Sequence, residues 1–263
     1  MEKNVNMKNE TFASVQQSSP MKIWWVSIWE RYNSLIVWLL LVAYLGVASF
    51  LVTVVFPVQF VDRSHAGFFE PQGVIAIGVM GLIGVWLSMR TGFPNAWDVK
   101  VSNRQRLVIP ILAGLVLGSL FLATDLITGL SRLQEEQLNI PSTDVAFPAS
   151  LVFYPAASIV AEVPYRLLTI PLLLGFASIF VRAQSNRERV FWVLAFMTSL
   201  MEPLTNNAAS KVLAPIALAI VLVQSFGTNL LQAAFFRKYG FVAAILVRAA
   251  FYIMFHVIGF FVK

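Results

Sequence analysis

Five ionisable side chains lie within long apolar stretches of this sequence: Glu162, Arg166, Glu202, Arg248 and His256. A charge at membrane depth costs about 3 kcal/mol on insertion scales, so such groups face a bundle interior and find partners. A buried carboxylate can take a proton from water, and a permanently charged guanidinium can hold a developing oxyanion. The charges of the first four also sum to zero, which suits two buried ion pairs that fix helix register. Glu162 and Arg166 stand four apart, on one helix face and in the favourable order of Glu before Arg. His256, alone on an apolar helix, reads as a hydrogen-bonded packing residue.

The elements that position these groups follow from composition. The chain has 263 residues, of which 58% are hydrophobic and 12% charged, and a mean hydropathy of +0.75. Several apolar runs approach twenty residues, the length that crosses a bilayer. The expected fold is all-α: a multipass transmembrane helical bundle of seven or eight membrane segments. With no cysteine, disulfides, thiolate catalysis and Cys-based zinc sites are excluded. Two histidines, His65 and His256, leave little material for a metal site, and no metal or cofactor is expected. The stretch Ser225 to Asn229 (SFGTN) lies inside a span, where Gly227 is expected to pack against a neighbour rather than cradle a phosphate. The formal charge of +6 fits basic cytoplasmic loops and contact with membrane lipids, not nucleic acid.

Three regions follow along the chain. Residues 1–20 are polar and read as a disordered cytoplasmic tail. Residues 21–148 hold an interfacial helix, Met21 to Asn33 with Trp24, Trp25 and Trp29, and then three spans: Leu35 to Phe56, Gly73 to Met89 and Leu107 to Ile127. Gly78, Gly81 and Gly84 would allow close helix contact in the second. Asp125 falls at the interface, and SRLQEEQL reads as a short surface helix capped by Ser131. Residues 149–263 contain Ala149 to Val181, then Val190 to Pro203, Val212 to Phe236 and Phe241 to Val262. Ala149 to Val181 would extend about 50 Å as a helix, against a hydrocarbon core of about 30 Å; Pro155, Pro164 and Pro171 allow kinks.

Basic residues favour one crossing there over two. With one, thirteen of the nineteen Lys and Arg residues fall on the amino-terminal side, four on the other and two, Arg166 and Arg248, within the membrane. That is the asymmetry of a chain with a cytoplasmic amino terminus. Two crossings would move Arg182, Arg187 and Arg189 outside and weaken it.

Three stretches together resemble the CAAX protease and bacteriocin-processing (CPBP) family of multipass intramembrane peptidases: Glu162-Val-Pro-Tyr-Arg166 followed by LLTIPLLL; FMTSLMEPLTN; and LLQAAFFRKYGFVAAILVRAAFYIMFHVIG. The resemblance covers roughly Ala149 to Gly259. The family motif Glu-Glu-x-x-x-Arg reads Ala161-Glu162-x-x-x-Arg166 here, so the Glu that activates water in active members is Ala161. The second motif, an aromatic residue four before a His, aligns with Thr198 and Glu202; the last, His-x-x-x-Asn/Asp, aligns with Arg248 and Tyr252. His256 matches a secondary His of some members.

The resemblance implies family-site positions at Glu162, Glu202 and Arg248, with Arg166, Tyr252 and His256 as supporting residues. It implies a bacterial-type cell membrane and a membrane or lipidated peptide or protein as partner, bound without cutting, in regulation or bacteriocin self-immunity. An active intramembrane endopeptidase with a rearranged site is the alternative. A proton-coupled transporter using Glu162, Glu202 and His256 as a relay is another, although no paired broken helices or internal repeat accompany it.

Overall fold

The computed structural model describes residues 20–58, 66–139, 142, 144–180, 183–205 and 215–263. Of the tail expected over 1–20, residues 1–19 lie outside the described residues, as do His65, Arg182 and Lys211, and Pro20 opens the first helix. Among the described residues eight helices account for the fold and no strand occurs. They are α1 (Pro20–Phe50, ending in a π-helical turn, Leu51–Val55), α2 (Pro71–Thr91), α3 (a π turn, Arg104–Val108, leading into Ile109–Thr128) and the short α4 (Leu130–Leu138). Then come α5 (Ser150–Glu162, a π turn Val163–Leu168, and Thr169–Phe180), α6 (Gln184–Thr205), α7 (Pro215–Tyr239) and α8 (Phe241–Tyr252, ending in a π turn, Ile253–Ile258, and a 3-10 turn, Gly259–Phe261).

Six of these, α1, α2, α3, α5, α7 and α8, are long and apolar enough to cross a membrane. The chain is a multipass helical membrane protein. α6 is 22 residues long but begins on a charged turn, QSNRER, and carries Glu202, so it is the least apolar of the long helices. The interfacial segment expected at Met21 to Asn33 is not separate: α1 runs through it without a break from Pro20. The central stretch is one continuous element, Ser150–Phe180.

Small residues set the helix contacts. On α2, a methyl at Gly81 would meet the Trp38 ring and one at Gly84 would fall 2.5 Å from the Leu167 carbonyl oxygen, while Gly78 has ordinary clearance from Val42. Trp38 donates its indole N–H to the Gly78 carbonyl at 3.0 Å. α3 and α8 also lie close together: a Cβ on Gly114 would lie 2.2 Å from the Val247 carbonyl oxygen and one on Gly118 2.6 Å from Met254 Cβ. Gly227 has nothing within 4 Å of the Cβ position, so the packing role expected for it is absent. α8 is the most enclosed of the six spans and touches α3, α5 and α7.

Both ends of the bundle are closed by polar contacts. At one, Arg237 of α7 bonds Glu188 of α6 at 2.7 Å and donates to the Gly92 carbonyl. Asn33 and Ser34 accept from the backbone N–H groups of Trp97 and Ala96, and Arg106 donates to the Asp98 and Val101 carbonyls. At the other, Asp125, near the end of α3, is buried, and it accepts the backbone N–H of Ser131 at 2.7 Å. Ser131 is therefore not the cap of α4: the helix starts from Gly129 in a left-handed conformation, and Asp125 satisfies one of its free N–H groups.

Candidate functional site

α5 carries the first two site residues on a distorted turn. Pro164 has no N–H to give the helical ladder, and the chain widens into the π turn Val163–Leu168. π turns inside α-helices accompany functional sites often. Thr169 Oγ1 donates to the Pro164 carbonyl oxygen. Around this turn Glu162, Val163, Arg166 and Leu167 are all buried.

Glu202 arrives from α6 and Arg248 from α8, and the four charges close into one ring. Arg166 Nη1 lies 3.2 Å from Glu162 Oε1 and 2.8 Å from Glu202 Oε2. Arg248 Nε lies 2.6 Å from Glu162 Oε1, while its Nη1 lies 2.7 Å from Glu202 Oε1 and its Nη2 3.0 Å from Glu202 Oε2. Each guanidinium thus bridges both carboxylates. The two pairs expected from spacing, Glu162 with Arg166 and Glu202 with Arg248, are half of a network whose other half crosses between them.

Two residues of this site escaped the sequence reading. Arg248 Nη2 also donates to Asn229 Oδ1 at 3.0 Å and Gln232 Oε1 at 2.8 Å, both on α7 and both buried. Their signal is present: Gln224, Ser225, Thr228, Asn229 and Gln232 form a polar stripe at helical spacing on an apolar helix. Gln232 and Arg248 each lie eight positions from Gly240, so an antiparallel hairpin brings them to one height. Gly240 makes that hairpin: its φ of +88° suits glycine, and a Cβ there would lie 2.9 Å from the Pro94 carbonyl oxygen.

Tyr252 Oη accepts from Arg248 Nη1 at 3.1 Å and marks the edge of the cluster. His256, one turn on, belongs to a second group: its Nδ1 meets Asp144 Oδ1, its ring stacks on Tyr154 with centroids 4.4 Å apart, and Lys263 Nζ lies 3.2 Å from both Asp125 Oδ2 and Asp144 Oδ2. Helix-rise arithmetic from the charged ends would set Glu202 nearer His256 than Arg248. The structure corrects this. Glu188 is level with Arg237, and Ser199, roughly 16 Å along α6, still accepts at 3.4 Å from Asn229, roughly 12 Å along α7. The long side chains span the mismatch.

Beside the ring, a cavity of about 210 Å³ opens between α3, α6, α7 and α8; Glu202, Gln232, Arg248 and Tyr252 are the polar part of its lining, and Phe121, Val221 and Phe251 are among the apolar part. Among the described residues no three His, Asp or Glu side chains are grouped as a metal site. In hydrolysis, Glu162 and Glu202 would be the bases, yet both carboxylates are engaged by guanidiniums. No protein-family model, no curated protein and no solved structure matches the chain.

Proposed function

We propose that this protein is a CPBP-like membrane protein that has lost hydrolysis and acts by holding a membrane or lipidated peptide partner, in regulation or self-immunity. The observation that carries the reading is Arg248: at a position where the motif has a histidine, it clamps the carboxylates of both Glu162 and Glu202. With Ala161 in place of the water-activating Glu, the charged groups serve each other instead of a substrate. The three stretches that carry the resemblance supply the whole ring, which also favours it. We assign the end bearing Arg90, Arg106, Arg237 and Lys238 to the cytoplasm of a bacterial-type cell membrane, following the excess of basic residues there.

The experiment is to reconstitute the full chain in vesicles with labelled membrane and prenylated peptides, then follow cleavage and photocrosslinking in the same samples. The expected result is a crosslinked peptide of unchanged length. A cleavage product made by the wild type and lost in Glu162→Gln or Glu202→Gln would establish the endopeptidase instead.

A further inference from the structure

The cavity beside the ion ring has a chemistry that selects its occupant. Arg248 has five N–H groups, and its contacts use all of them: Nε on Glu162, Nη1 on Glu202 and Tyr252, and Nη2 on Glu202, Asn229 and Gln232. No N–H of that guanidinium is left to bind an anion. Both oxygens of Glu202 face guanidiniums, so the carboxylate is equally unsuited to a cation.

What the wall does offer is neutral donors. Gln232 is fully buried and lines the cavity, and its Nε2 amide has no partner. A buried amide donor left unpaired is costly. Tyr252 accepts from Arg248 through its hydroxyl oxygen, which leaves its own hydrogen for another acceptor. Phe121, Val221 and Phe251 supply apolar lining to the same cavity. At about 210 Å³ the space is smaller than the roughly 300 Å³ at which pockets for drug-sized ligands begin. It takes one functional group and a short run of carbons.

We propose that the cavity binds the uncharged carbonyl of an ester or amide at the head of a long-chain amphiphile, its oxygen accepting from Gln232 Nε2 and Tyr252 Oη and its chain lying along the aromatic wall. The proposal stands apart from the loss of hydrolysis, since it concerns neutral donors that take no part in the ring's charge balance.

The test is photolabelling of the full chain in a maltoside detergent, which has no carbonyl to compete. The probes are one diazirine-bearing sixteen-carbon chain ending in a methyl ester, in an N-methyl amide, in a carboxylate, in an ammonium, or in a plain methyl. Ester and amide should label peptides within 215–258, and the other three should label them roughly fivefold less, the ratio given by a hydrogen bond of about 1 kcal/mol. Gln232→Leu should remove that preference. Val221→Trp, which fills the cavity away from the ring, should abolish labelling even if Gln232→Leu fails to fold. Equal labelling by all five chains, unchanged labelling in Val221→Trp, or no labelling of the wild type, as for a cavity holding water only, would each overturn it.

Discussion

Arg248 and Glu162 are 86 positions apart in the chain and meet at 2.6 Å in the middle of the bundle. This contact joins α8 to the distorted turn of α5, and through Arg248 both are joined to α6 and α7. A ring that ties four helices together inside the bundle opposes slippage of one helix against another, because a displaced helix would leave a buried charge without its partner.

The two arginines are not equivalent. Arg166 reaches both carboxylates through one nitrogen, Nη1, while its Nε and Nη2 have no partner. Arg248 uses Nε, Nη1 and Nη2 in different directions. A lysine offers a single point charge. Arg166→Lys should therefore cost less than about 1 kcal/mol, and Arg248→Lys about 3 kcal/mol or more. Thermal unfolding of the purified variants in one detergent checks the order.

The α3 and α8 contact positions the ring from behind. Gly114→Ala puts a methyl against the Val247 carbonyl, backbone that cannot yield without moving the helix that carries Arg248. The expected loss is about 1–3 kcal/mol. Gly227→Ala, with nothing within 4 Å, should leave unfolding unchanged or slightly improved by the better helix propensity.

Asp144 lies outside the spans. Burial opposes its ionisation, but the hydrogen bond and charge of His256 and the charge of Lys263 prevail and hold its carboxyl below the ordinary aspartate value of 3.8. A lowered carboxyl contributes stability above that ordinary value and loses it as pH falls through the folded-state value. The gap in melting temperature between the wild type and Asp144→Asn should be full near about pH 6 and close as pH falls below 3.8. A gap independent of pH would show that the aspartate acts only as a neutral hydrogen-bond acceptor.

The spans were legible from the sequence because apolar length against bilayer thickness is a strong constraint, and Glu162 to Arg166 was legible because spacing of four fixes a shared face. The cross-contacts of Arg248 were not, since no local rule relates α8 to the turn on α5. Asn229 and Gln232 were hidden by their helix, read for apolar length instead of for its polar stripe. The helix caps misled in a similar way: Ser131 has the residue type of a cap, yet its own backbone N–H is satisfied by Asp125, six positions back across the left-handed turn at Gly129. Gly114 and Gly118 have the spacing of a helix-contact pair but sit in a span read only for hydrophobicity.

The central claim is that the four charges form a structural unit, and the most direct measurement is a double-mutant cycle on Glu202→Gln and Arg248→Gln read by thermal unfolding in detergent. Each single change strands buried charge and should cost about 3 kcal/mol or more, while the double change should recover roughly 2 kcal/mol or more of the summed loss. If the two losses simply add, the ring does not hold the helices together, and the account fails.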